Sequence, residues 1–176
     1  MPGHTSLLTP LPAIHAFRPS TDPWKIMIDF ISTPATPFTR FKTTSRDVYT
    51  AARARANIPS FSCPTEVLLQ NEQGEVTEGS LTSVYFWRDR HDHPWREGSD
   101  LKHGRWVTPP VESGGQQGTT RRWLLEQRLC VEEVVGGHSV IHGEGVWLSN
   151  GVRGMIWGLV DLEGQHVKME MSEEKL

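Results

Sequence analysis

The apolar positions of this chain fall mostly into short runs of strand length, with two stretches at helical spacing. Lys25–Phe30, with its β-branched and aromatic content, predicts one strand. Thr65–Leu69 and Val76–Thr82 predict two more, joined by the glycine-bearing turn Asn71-Glu72-Gln73-Gly74. Ser83–Arg88, carrying Val84-Tyr85-Phe86-Trp87, continues them as a meander. Trp106-Val107 and Val146-Trp147-Leu148 add further strands. Helical spacing appears at Val48, Ala51, Ala52 and Arg55, so a helix is expected from about Arg46 to Asn57, capped by Ser45. Ile58-Pro59 should stop it, because a proline ring disfavours helical backbone in the residue before it. A second helix is expected from Thr120 through Trp123, Leu124, Leu125 and Leu129. His91–Gly98 is polar and reads as an exposed loop, and ahead of Thr39 prolines are frequent.

Composition narrows the function classes. At 176 residues and 19.9 kDa the chain is one domain's worth, able to bury roughly 70% of the surface its unfolded form exposes. Eighteen basic residues stand against 21 acidic ones, interspersed, for a net charge of −3, so no basic stripe offers itself to nucleic acid. Cys63 and Cys130 lie far apart without metal-ligand spacing, which fits a reducing, cytoplasmic setting and no disulfide framework. The start lacks the basic and apolar regions of a signal peptide. The longest apolar stretches, 24–31 and 154–162, fall short of the roughly 20 residues a membrane span needs. His91-Asp92-His93 places two ligand types at i and i+2, but no third has defensible spacing, so no metal is expected.

Three segments carry candidate chemistry. Lys42, in Phe41-Lys42-Thr43-Thr44-Ser45-Arg46, precedes a helix start whose dipole would lower its pKa from the usual value of about 10.4, making it a Schiff-base candidate. On these grounds alone a solvated surface lysine is the better account. Ser113–Thr120 is glycine-rich and runs into a helix. Gly118, Thr119 and Thr120 would there present free N–H groups and two hydroxyls to a phosphate, although a plain N-cap has the same residues. Glu78, in Gly74-Glu75-Val76-Thr77-Glu78-Gly79-Ser80, would otherwise be an ordinary strand glutamate.

Taken in order with Leu148-Ser149-Asn150-Gly151-Val152-Arg153-Gly154, these segments resemble the class IV pyridoxal-phosphate enzymes, over roughly residues 36 to 160. That family includes the branched-chain and D-amino-acid aminotransferases and aminodeoxychorismate lyase. The run from Lys42 to Tyr49, the segment Trp106-Val107-Thr108-Pro109-Pro110 and the helix Arg121–Glu126 look most like the lyase branch in its fungal form. The resemblance implies fold type IV, the D-amino-acid aminotransferase-like C-terminal domain: an α/β (α+β) fold with a mainly antiparallel, barrel-like sheet and outer helices. It also implies pyridoxal 5'-phosphate as cofactor. Lys42 would carry it covalently and shuttle the substrate's α-proton, with Glu78 at the pyridine nitrogen. Gly118, Thr119 and Thr120 would sit at the phosphate, with Ser149, Asn150 and Gly151 supplying a second phosphate contact. Two departures stand out: Gly151 occupies a slot that often carries a hydroxyl, and Ser83 one that often carries asparagine.

Family members run considerably longer at the front, where a smaller domain supplies a phosphate-binding arginine and part of the substrate pocket. Residues 1–35 are expected to be an irregular remnant of that domain and 36–176 the cofactor-binding domain. Three readings follow from the resemblance. The first is a lyase that eliminates pyruvate from 4-amino-4-deoxychorismate to give 4-aminobenzoate. The second is an aminotransferase of the same class. The third is a catalytically incomplete remnant that only binds cofactor or a partner subunit. A small-molecule amino substrate, a homodimer and a cytoplasmic location go with the enzyme readings.

Overall fold

The computed structural model of the chain describes residues 22–34, 46–99 and 101–163; Lys42 and Ser45 lie outside the described residues. The frame is one eight-stranded sheet formed by β1 (Trp24–Ile28), β2 (Thr65–Gln70), β3 (Val76–Gly79), β4 (Ser83–Asp89), β5 (Gly104–Thr108), β6 (Val131–Glu132), β7 (Gly145–Asn150) and β8 (Gly154–Val160). Its order is β3-β2-β1-β8-β7-β4-β5-β6. Two α-helices, α1 (Asp47–Arg55) and α2 (Thr119–Glu126), pack outside it.

The expected barrel-like sheet with outer helices is present, but it is mixed. β2–β3, β4–β5, β4–β7 and β7–β8 pair antiparallel, whereas β1 runs parallel to both β2 and β8 and β5 runs parallel to β6. The connections explain the difference: α1 lies between β1 and β2, α2 between β5 and β6, and a crossover of that kind returns the chain in the same direction. The sheet also curls until its edges meet. Beyond β6, Val135 accepts from the Val76 N–H at 2.8 Å, Glu75 bridges Gly136, and Gly137 N–H donates to Gly74 at 2.8 Å.

Strand alternation sorts the core into an inside and an outside. Ile26, Ile28, Leu68, Val84, Phe86, Val146, Leu148 and Val160 fill the barrel with Val76, Val107, Val135 and Val140. The intervening residues Met27, Val67 and Leu69 pack under α1 against Tyr49, Ala52 and Ile58. Tyr85, Trp87, Trp106, Trp147 and Trp157 pack under α2 against Leu124 and Cys130. Trp147 and Trp157 meet edge to face with centroids 5.1 Å apart, the geometry indole quadrupoles favour. Burial on both faces is why these strands read as continuous apolar runs.

Several sequence expectations change. The meander ends at β3, which is an edge strand, while β4 lies in the other half of the sheet between β7 and β5. β1, ahead of the boundary expected at residue 35, is an inner strand of the same sheet. β8 escaped the sequence reading because glycines interrupt it. A Cβ at Gly158 would stand 2.6 Å from Ile26 side-chain atoms, so glycine lets β1 and β8 approach. α1 stops at Arg55, and Asn57 turns left-handed at φ 54°, ending the helix before Pro59 is reached. His91 and His93 are exposed, as expected of their loop. Among the described residues no group of His, Cys, Asp or Glu could hold a metal, and no helix is long and apolar enough to cross a membrane.

Candidate functional site

The site begins with a fault in β3. Leu69 lies opposite Glu78 but Gln70 opposite Val76, so Thr77 is an extra residue in the strand. A bulge of this kind re-aims the side chains on either side of it. Val76 therefore enters the barrel while Glu78 leans outward under α1, where Tyr49 Oη donates to its Oε1 at 2.6 Å. Glu78 is only 7% exposed. A Cβ at Gly115 would stand 2.5 Å from the Thr77 carbonyl oxygen, so this glycine lets the following loop rest on the bulge. The Gln116 N–H thereby reaches Glu78 Oε2 at 3.2 Å.

After β3 the chain makes a short strap, Ser80-Leu81-Thr82, before β4. A wholly buried carboxylate on β2, Glu66, holds it from behind. It accepts from Ser80 N–H at 3.1 Å, Ser80 Oγ at 2.5 Å, Leu81 N–H at 3.1 Å and Thr82 Oγ1 at 2.9 Å. Arg53 of α1 stands 3.9 Å from Glu66 and donates to Ser80 Oγ at 3.0 Å. Arg46, just ahead of α1, donates to the Ser80 carbonyl at 2.6 Å with its guanidinium over the Tyr49 ring.

Two further pieces face the strap. α2 starts after Gly118, which has no side chain to cap the helix, so its first N–H groups keep their donor capacity. Opposite, the turn after β7 is shaped by Asn150, whose Oδ1 accepts from Val152 N–H at 3.0 Å and Arg153 N–H at 2.8 Å. Ser149 is buried, with its Oγ 2.8 Å from Tyr85 Oη. The Asn150 side chain thus builds the turn, Ser149 is tied to Tyr85 on β4, and Gly151 offers bare backbone: nothing lies within 4 Å of where its Cβ would be.

These pieces enclose a cleft of about 590 Å³. The structure brings Glu78, Gly118, Thr119, Ser149, Asn150 and Gly151 together in its wall. Thr120, one residue further into α2, is not in that lining, and Lys42 lies outside the described residues. Sequence reading missed Arg46, the strap, and Tyr49 and Glu66 behind it. The only available signal was Glu66 itself, a carboxylate within an apolar strand run. With a buried acceptor, an open helix N-terminus and a backbone turn, the cleft suits a ligand bearing both a protonated nitrogen and an anionic group.

Burial pushes the Glu78 carboxyl up to about 7, against the lowering pull of the Tyr49 hydrogen bond, the Gln116 N–H and the Arg46 charge. The folded, ligand-free chain therefore keeps a proton that the unfolded chain releases near 4.5. The stability this contributes is full below 4.5 and is lost as pH rises through 7, on the order of 3 kcal/mol in total. Glu78→Gln should remove this slope, so urea melts of the two proteins should diverge between pH 5 and pH 8, with the variant the more stable at the upper end. Parallel curves would rule the assignment out.

Comparison with known proteins adds the family. A family profile described as Amino-transferase class IV matches residues 8–157. Aminodeoxychorismate lyase of Saccharomyces cerevisiae is 35% identical over 151 residues, which cover 80% of this chain and 38% of that protein. A Schizosaccharomyces pombe protein provisionally given the same name is 32% identical over 152 residues, covering 82% of this chain and 59% of that protein. The chain thus spans less than two thirds of the length of either relative. The pyridoxal-phosphate form of a branched-chain amino acid aminotransferase from Thermobaculum terrenum shares the fold, with a TM-score of 0.55 over 78% of this chain and 42% of that one, at 19% identity. Since the profile spans every residue that lines the cleft, this chain belongs to the class IV amino-transferase family.

Proposed function

We propose that this chain is the cofactor-binding part of a pyridoxal-phosphate-dependent lyase that eliminates pyruvate from 4-amino-4-deoxychorismate, leaving 4-aminobenzoate for folate synthesis. One observation carries the reading. A chain 35% identical to the Saccharomyces cerevisiae lyase folds a buried carboxylate, an uncapped helix start and a backbone turn around one cleft. That donor set fits a pyridine nitrogen at one end and a phosphate at the other. When bound, the cofactor supplies an electron sink for the charge left as the substrate's α-proton departs.

The chain's own residues do the rest. Lys42 provides the amine that anchors the group and then moves the α-proton. Glu78 holds a proton on the ring nitrogen through its ionised carboxylate. The N–H groups after Gly118 and the hydroxyls of Thr119 and Thr120 bind the phosphate, and the turn of Ser149, Asn150 and Gly151 adds a second contact to it. The same reading carries a small-molecule amino substrate, a homodimer and a cytoplasmic setting.

A class IV aminotransferase reading is supported by the family profile that matches residues 8–157. The third reading, an incomplete remnant that only binds cofactor or a partner subunit, is kept as an outcome of the test. One experiment separates all three. The purified chain is mixed with pyridoxal phosphate and its visible spectrum recorded before and after borohydride. It is then assayed for release of 4-aminobenzoate and pyruvate, and for amino transfer to a 2-oxo acid. A reducible yellow adduct with 4-aminobenzoate release is expected. Amino transfer alone, or no adduct, would overturn the lyase reading in favour of the second or third.

A further inference from the structure

On the reading of the cleft just given, we propose that Tyr49 is the positioning residue for Glu78, fixing the orientation of its carboxyl and keeping it ionised toward a protonated nitrogen in the cleft.

The geometry assigns the donors. Gln116 Nε2 donates to Tyr49 Oη at 3.3 Å, so the tyrosine's acceptor side is used and its single proton points to Glu78 Oε1 at 2.6 Å. The other oxygen, Oε2, takes the Gln116 backbone N–H at 3.2 Å. With each oxygen held by one fixed donor the carboxyl cannot rotate, and the remaining lone pairs stay available to the cleft that Glu78 lines.

Charge follows from the same contacts. Tyr49 is buried, and burial together with the neighbouring Glu78 raises its own ionisation well above the ordinary tyrosine value, so it stays a donor at every working pH. A permanent donor favours the ionised carboxylate. It acts alongside the Arg46 charge, and against burial and the Glu66 carboxylate on the adjoining strand. Arg46 and Tyr49 lie one turn apart at the start of α1, with the Arg46 guanidinium 5.0 Å from the Tyr49 ring centroid. In the sequence Lys42 stands four residues ahead of Arg46 and seven ahead of Tyr49.

The test has two arms. In the cofactor-free chain the Glu78 carboxyl is followed by infrared or ¹³C NMR titration, assigned by its loss in Glu78→Gln. Tyr49→Phe keeps the ring that packs from α1 onto Met27, Val67 and Leu69 and removes only the hydroxyl. It should raise the titration midpoint by about one pH unit. Gln116→Ala, which retains the backbone N–H but removes the donor to Tyr49 Oη, should raise that midpoint by less. If Tyr49→Phe does not fold, fluorinated tyrosine at position 49, a stronger donor, should move the midpoint down instead. In the loaded chain, Tyr49→Phe should shift the acid limb of kcat upward by the same amount and recover at higher pH with KM unchanged. A carboxyl that titrates identically in native chain and Tyr49→Phe overturns the inference, even where Tm falls, because packing alone would then explain Tyr49. A native chain that takes up no pyridoxal phosphate overturns the cofactor reading instead, and the titration arm tells the two failures apart.

Discussion

Lys42→Ala is expected to abolish the borohydride-reducible adduct and to lower turnover by at least about 10³-fold, because the matched segments contain no other amine able both to anchor the cofactor and to move the α-proton. Glu78→Gln should keep the adduct yet slow turnover by roughly 10²-fold or more, since a carboxamide cannot stabilise the protonated ring nitrogen. Mass spectrometry of the reduced protein reads the first effect and single-turnover kinetics the second. An adduct of unchanged yield in Lys42→Ala would move the chemistry to another lysine, such as Lys25 or Lys102.

Glu66→Ala is expected to cost about 3 to 5 kcal/mol of folding stability, the range for removing one partner of a buried ionic network. The carboxylate is fully buried and accepts from Ser80 N–H, Ser80 Oγ, Leu81 N–H and Thr82 Oγ1, as well as from Val67 N–H at 2.9 Å. Its removal strands those donors and leaves the Arg53 charge buried without its carboxylate neighbour. Cofactor affinity should fall with stability, because the strap lines the cleft. Glu66→Gln, which keeps acceptor capacity on one oxygen, should lose less. Urea denaturation would refute the assignment if Glu66→Ala cost under about 1 kcal/mol.

What the sequence made legible was local. The runs at Thr65, Ser83 and Val146 became strands, and the glycine-rich approach to Thr119 became a helix start on the cleft, because period and turn chemistry act over a few residues. Placement along the sheet was not legible: nothing around Val76 or Ser83 announces that β3 and β4 sit in opposite halves. That separation depends on the strap, and the strap on Glu66, a residue more than a dozen positions earlier. Glu78 was found by its resemblance, but its burial was not, since a Thr77 bulge decides which way it faces. Arg46 as a cleft residue and Tyr49 as the partner of Glu78 were invisible because a helix of nine residues gives no hint of what its start will touch.

The hairpin of β7 and β8 has a consequence for how the chain is made. In the sheet it sits between β1 and β4, so the strands synthesised first form two ribbons, β3-β2-β1 and β4-β5-β6, that meet along the Glu75–Gly136 bridge but stay open between β1 and β4 until residues 145–160 arrive. On a ribosome both ribbons would wait with a bare edge, β1 on one and β4 on the other, each rich in apolar side chains. Nascent chains arrested ahead of residue 145 should therefore be protease-sensitive and held by chaperones. The cleft, whose wall takes Ser149, Asn150 and Gly151 from this hairpin, would come into being only once the hairpin has been made and inserted.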